Sequence, residues 1–464
     1  MNTLSIFDLA FFATESEQSP KHVAGLITLR KPDGAPVDYV EQLAAEIRSH
    51  NKPTPPYNQV IDFVGGGLPR WREAEHFDIA DHVLLHQPEQ PLDMAALTRF
   101  AANLHGPMLS RDRPLWEFHF IDNVDRGRFA IYAKTHHSYA DGVTLTAWMN
   151  RSLAVRPGTG NWVPVWALDH SKQRRESDRV QQNLLQKLLL GSRKQFINVL
   201  GFAKLGAQLW LERFGLTRNA VAVPFRATGE TPLTGSVSSA RQLAVAAVDM
   251  ERVQTIRSLT RSTLNHVALT CIDGALHHYL EDLGVQLEQP ITIQMPVSLR
   301  REGDEKAGNQ IGIVLVDLAQ RTTDPYVRLR EIGFTLRNVR SQVDGVPPGS
   351  VMHYTLALGV FAQLAEFLRL TDVLPPVGNT LVSNVPGPKK PLFLGDAEVE
   401  TIVPISTLTP GNRLNITLYS YAGTLYFGLV GTEELGDLQS LAGHIERAFV
   451  ELEQAVQTPA SGGR

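Results

Sequence analysis

The seven positions His136-His137-Ser138-Tyr139-Ala140-Asp141-Gly142 constrain the fold of this chain more than any other stretch. Before them, Arg128-Phe129-Ala130-Ile131-Tyr132-Ala133-Lys134 is dense in apolar and aromatic residues and reads as a buried strand. After them, Val143 to Asn150 places apolar residues at helical spacing behind Asp141, a favoured N-cap. The two histidines therefore sit in a strand-to-helix turn. A short Asp folds back on such a loop, and Gly142 lets backbone or substrate approach closely. Alternation at a strand end sends neighbouring side chains to opposite faces, so one of His136 and His137 points at a substrate and the other packs or fixes the turn.

An imidazole with an ordinary pKa near ~6.5 can take a proton from an attacking hydroxyl and return it to a leaving group, so the HHxxxDG string points to acyl transfer. Competing chemistries lack their residues. No G-x-S-x-G elbow occurs, which argues against a serine hydrolase. H-E-x-x-H is absent and Cys271 is the single cysteine, so neither a metal site nor a disulfide framework is expected. Cys271 lies among Ala268, Leu269 and Ile272 and reads as a buried thiol suited to a reducing cytosol. Gly65-Gly66-Gly67 has no Lys-Ser or Lys-Thr after it and is not a phosphate loop. The second histidine pair, His277-His278, falls in a helical stretch with no Asp-Gly following, and reads as a packing accident.

With the HHxxxDG string, a series of further motifs resembles the bacterial wax ester synthase/diacylglycerol acyltransferases, within the wider chloramphenicol acetyltransferase-like superfamily. Residues 15–26 resemble the family's N-terminal signature and Arg113-Pro114-Leu115-Trp116-Glu117 its PLW motif. Asn265, Pro296 to Arg300, Gly308-Asn309-Gln310, Ser383-Asn384-Val385-Pro386-Gly387-Pro388 and Leu414-Asn415-Ile416-Thr417 resemble later ones, in order along nearly the whole chain. One departure stands out: His266 follows Asn265 where the family usually carries Asp. Read from the residues, Asn265 is either a helix N-cap or a substrate contact, and Trp116, at a strand entrance, either core packing or a ligand contact.

The resemblance implies an α/β (α+β) fold of two chloramphenicol acetyltransferase-like domains around a substrate tunnel. The expected division is an N-terminal domain over 1–170, a helical connector over 171–239 and a C-terminal domain over 240–464. It also implies that His137 is the general base on a fatty alcohol or diacylglycerol, that long-chain acyl-CoA is the donor substrate, and that neither a cofactor nor a covalent acyl-enzyme is needed. Ser383, Asn384 and Asn265 are candidate oxyanion donors. Asp141 is expected to pair with Arg300 and shape the turn, so that Asp141→Asn impairs geometry as well as rate.

A chain of 464 residues, 43% of them hydrophobic, exceeds one usual core. A net charge of -4 gives no case for nucleic acid. The N-terminus has no secretory pattern and no stretch is apolar enough to span a membrane, which suggests a cytoplasmic protein that meets lipid at a membrane or droplet surface. Residues 180–218 interleave Leu, Ile, Phe and Trp with Lys and Arg, a basic amphipathic pattern that suits either such a surface or packing on the protein body. Two alternatives remain: the same chemistry on a different alcohol, amine or carrier-bound acceptor, and a non-catalytic lipid-droplet coat, against which the intact motif argues.

Overall fold

The computed structural model describes residues 4, 11–12, 15–62, 69–158, 162–170, 231–298, 311–319, 322–345, 354–355, 358–359, 362 and 376–457. Its first half holds β1 (His22–Arg30), α1 (Tyr39–Ser49), β2 (Gln59–Asp62), β3 (Arg70–Glu73), β4 (Val83–His86), α2 (Met94–His105), β5 (Trp116–Val124), β6 (Arg128–His136) and α3 (Gly142–Ser152). The second holds β7 (Gln242–Asp249), α4 (Met250–Thr260), α5 (Leu264–Asp282), β8 (Thr292–Ser298), β9 (Ile311–Asp317), α6 (Pro325–Asp344), β10 (Thr380–Val385), β11 (Phe393–Leu394), β12 (Ala397–Ile405), β13 (Leu414–Tyr421), β14 (Thr424–Gly431) and α7 (Leu438–Gln457).

Among the described residues two six-stranded mixed sheets form, in the orders β11-β12-β1-β6-β5-β4 and β7-β14-β13-β10-β8-β9, with β2-β3 as a separate ribbon. β6 is central, and its middle from Phe129 to Ala133 is apolar because it is covered on both faces, as the sequence pattern requires. Its inner cation, Lys134, is buried, and its ammonium donates to the carbonyls of Leu104 (2.9 Å) and Pro107 (2.6 Å) at the C-terminal end of α2, where helix carbonyls lack partners. In the second half, α7 turns Leu438, Leu441, Ala442, Ile445, Ala448, Phe449 and Leu452 inward at three- and four-residue spacing, onto a core shared with α4, α5 and the second sheet.

The division at residue 240 needs correction. β11 and β12 come from the C-terminal half, yet they complete the first sheet: β12 runs antiparallel to β1 from Ala24↔Ile405 to Arg30↔Glu398. The two sheets also touch where β14 crosses β12. A Cβ on Gly428 would lie 1.8 Å from the Pro404 carbonyl oxygen, so only glycine permits that approach. The halves are tied together by strand exchange, which hydrophobic periodicity along the chain does not reveal. The amphipathic stretch 180–218 and most of the expected connector lie outside the described residues.

Candidate active site

Strand pairing decides where the two histidines go. His136 is the last residue of β6, opposite His22 of β1, and His137 opens the turn leading to α3. The His136 N–H donates to the Leu115 carbonyl and the His137 N–H to that of Lys21, each at 2.9 Å. The Tyr139 N–H closes the turn on the His136 carbonyl at 3.0 Å. The Tyr139 hydroxyl accepts from the Leu115 N–H at 2.9 Å and donates to the Gln59 carbonyl. Pro114, Leu115 and Trp116 are thus a buried clamp behind the turn. Trp116 is fully buried, stacks on His82 and Trp166, and donates its indole N–H to the Tyr57 carbonyl at 2.8 Å. Of its two readings, packing is the one observed.

His136 is fully buried, with a polar neighbour at each ring nitrogen. Its Nδ1 accepts from the Ser138 N–H at 3.2 Å and lies 2.6 Å from the Ser138 hydroxyl, while Nε2 faces a Glu15 carboxylate oxygen at 3.3 Å. An accepting Nδ1 assigns the proton to Nε2, pointing at the carboxylate. Phe12 stacks on the ring at 4.6 Å. Glu15 also takes Arg111 at 2.9 Å and the Lys21 N–H at 3.2 Å. Burial alone would raise the Glu15 pKa, but His136, Arg111 and the Lys21 amide together hold it down at about 2.

Among the described residues, none locks His137 in this way. It is half-buried and stacks on Phe11 at 4.6 Å with ring planes 28° apart. Burial pushes its pKa below the ordinary 6.5, against the opposing pull of the Asp141 charge and its own backbone carbonyl, with His136 and Lys21 pushing the same way as burial. The imidazole is therefore neutral near pH 7, the state a general base requires.

Asp141 is the N-cap of α3, as its position in the sequence predicts, and accepts from the Thr144 N–H at 2.8 Å. Arg300, its expected partner, lies outside the described residues, as do Gly308-Asn309-Gln310. Gly142 is the first helical residue. A Cβ there would meet Val385 at 3.5 Å, an ordinary contact, so the close approach expected of this glycine is not forced by the backbone around it.

Val385 belongs to β10 of the second sheet, so the motif faces the Ser-Asn-Val-Pro-Gly-Pro segment directly. Gly387 is required there: its Cβ would fall 2.2 Å from the Ser420 carbonyl oxygen. Asn384 is exposed and donates its amide to the Asn265 Oδ1 at 2.8 Å, and the half-buried Ser383 precedes it. The cap reading of Asn265 is corrected. Thr263 is the N-cap of α5, accepting from the His266 N–H at 3.2 Å, while the His266 Nδ1 accepts from the Thr263 N–H at 3.4 Å. His266 thus fills the acceptor role of a capping box, and its pKa is lowered by burial and then by Arg337, which keeps the ring neutral and able to accept. Asn265 sits one residue inside the helix with its side chain free to face β10.

Phe11, Phe12, Glu15 and Lys21 complete the site but have no role assigned from the sequence. Residues 15–26 carried only a family signature; no local rule connects a carboxylate there to a histidine beyond residue 130.

Comparison with known proteins places the chain. Residues 4–268 match the wax ester synthase/diacylglycerol acyltransferase catalytic domain, and residues 307–453 the WS/DGAT C-terminal domain. A Mycobacterium tuberculosis protein named "Probable diacyglycerol O-acyltransferase tgs2" is 32% identical over 454 residues, covering 97% of this chain and 98% of that one. "O-acyltransferase WSD" of Acinetobacter baylyi is 29% identical, covering 96% of each. The solved wax ester synthase/diacylglycerol acyltransferase of Marinobacter aquaeolei superposes with a TM-score of 0.78 at 26% identity, over 99% of this chain and 100% of that one. The first condensation domain of the calcium-dependent antibiotic synthetase shares the fold at 16% identity, with a TM-score of 0.59.

Proposed function

Since this O-acyltransferase belongs to the wax ester synthase/diacylglycerol acyltransferase family, we propose that His137 is the general base by which it moves a long-chain acyl group from acyl-CoA to a fatty alcohol or diacylglycerol. One observation carries the assignment: of the two adjacent histidines, His136 has Nδ1 bonded to Ser138 and Nε2 facing the Glu15 carboxylate, whereas His137 is neutral and, among the described residues, stacks on Phe11. His137 takes the hydroxyl proton as the alcohol oxygen attacks the thioester carbonyl. The tetrahedral oxyanion collapses, the C–S bond breaks, and the proton passes from His137 to the departing thiolate. Both substrates held at one imidazole need no covalent acyl-enzyme.

Asn265 is the favoured oxyanion donor of the three candidates. Its Oδ1 is taken by Asn384, which orients the amide and leaves both Nδ2 hydrogens to donate, whereas the Asn384 amide has one of its two hydrogens engaged in that bond. Long-chain acceptors reside in membranes and droplets, so peripheral contact with such a surface belongs to the proposal. Among the described residues no helix is long and apolar enough to cross a membrane.

The test is CoA release from palmitoyl-CoA with hexadecanol, dipalmitoylglycerol or no acceptor, for wild type and His137→Ala. Acceptor-dependent release that falls by about a hundred- to ten-thousandfold in the variant is expected. Release indifferent to the variant overturns the base assignment. Release that only a short polar alcohol or amine stimulates overturns the acceptor.

A further inference from the structure

A cavity of about 580 Å³ opens on the second half, between the α4–α5 corner and the first three turns of α6. Its wall combines Arg261, Arg330 and Arg337 with Tyr326 and Phe334, and His266 forms part of it. The composition is unusual for a surface. Phe334 is 62% exposed and Tyr326 43%, side chains that fold stability alone would turn inward. No carboxylate among the described residues forms an ion pair with any of the three arginines, although Glu331 stands in the same wall. Arg330 and Arg337 are two turns apart on α6, about 10 Å along its axis, so their guanidinium groups share one face of the helix.

Arg261 adds a backbone observation. It ends α4 in the left-handed conformation (φ 53°) that glycine or asparagine adopts more easily. A long cation held there at an energetic cost is expected where its side chain has a task. Gly333 lies behind the cavity, where a Cβ would come 3.6 Å from the His266 ring and 3.4 Å from an Arg337 nitrogen.

Location supplies the link to chemistry. His266 in the wall is the neighbour of Asn265, whose side chain bonds Asn384 at 2.8 Å; Val385, next along β10, meets the first residue of the helix behind His137. A ligand with one end in the cavity and an extended arm running over the N-terminus of α5 would reach the reaction centre. We propose that this cavity holds the phosphorylated nucleotide end of the acyl-CoA donor: the adenine stacks on Phe334 or Tyr326, and Arg261, Arg330 and Arg337 take the phosphates.

The fit is chemical. Guanidinium groups bind phosphate oxygens in pairs, and aromatic faces stack bases regardless of identity. An acyl chain or a neutral diacylglycerol has no use for three clustered cations. A flat anionic membrane would use the cations but not the concavity. The inference rests on acyl-CoA being the donor, as proposed above.

The experiment uses full-length wild type, Arg330→Ala/Arg337→Ala and Phe334→Ala, all exposed substitutions. Adenosine 3′,5′-bisphosphate is titrated calorimetrically, and KM is compared for palmitoyl-CoA and for palmitoyl-pantetheine, which lacks the nucleotide. Wild type is expected to bind the bisphosphate, and the double variant to bind it at least about tenfold more weakly. Its KM is expected to rise by a similar factor for palmitoyl-CoA and not for palmitoyl-pantetheine. Failure of wild type to bind the bisphosphate, or equal losses with both donors, overturns the proposal. So does an unchanged KM accompanied by lost binding to phosphatidylglycerol vesicles, which would assign the cavity to a membrane surface. Wild type that releases no CoA with any acceptor would instead count against the enzymatic reading, and the calorimetric arm keeps the two failures apart.

Discussion

Asp141 serves His137 in two separable ways. Its carboxylate oxygen caps α3, and its negative charge raises a histidine pKa that burial lowers. Asp141→Asn keeps an oxygen for the cap and removes the charge. A base with a pKa below 6.5 is active above that pKa and is lost as pH falls through it. The acidic limb of kcat/KM is therefore expected below pH 6.5 in wild type and at still lower pH in the Asn variant, because the opposing charge is gone. Asp141→Ala should also lose about 1 kcal/mol of stability with the cap. A pH–rate profile with the acidic limb moved upward in the Asn variant would contradict this division of roles. At the same scale, the local structure of HHxxxDG was legible from the residues themselves: the strand, the turn, the Asp cap and the different settings of the two imidazoles. Which imidazole is locked was not legible, because Glu15 and Ser138 reach His136 by tertiary contact and side-chain rotamer.

Among the elements, α5 shows how a family departure is absorbed. Where an acid usually follows Asn265, His266 accepts the Thr263 N–H through a neutral ring nitrogen and closes the capping box. The helix start thus needs Thr263 more than it needs an acid. Thr263→Ala is expected to cost about 1 kcal/mol, read as a lower midpoint of urea unfolding at unchanged slope. Since Asn265 is carried by this first turn, the variant should also lower kcat. Helical spacing in the sequence predicts helices over 37–49 and 437–455, and α1 and α7 begin within two residues of those starts. Asn265 as an N-cap failed because two good capping residues stand two positions apart, and only the backbone geometry at Thr263 distinguishes them.

For the whole molecule, the contact between the sheets is the weak point that no local signal marks. Gly428→Ala would drive a methyl into the Pro404 carbonyl at the crossing of β14 and β12, and should cost about 3 kcal/mol, with melting temperature and acyl transfer falling together. Gly443→Ala, in α7 with nothing within 4 Å, should instead stabilise by about 0.5–1 kcal/mol. Equal effects of the two would sink the account of the crossing. The chain by itself determined what short-range physics can carry: alternation and helical spacing set the elements around the motif, and ordered motifs identified the family. Only the tertiary structure decided that 393–405 completes the first sheet, that Glu15 holds His136, and that Asn265 meets Asn384. Those pairings join residues more than a hundred positions apart, and backbone hydrogen bonds between strands carry no record of their partner in either strand's side-chain pattern.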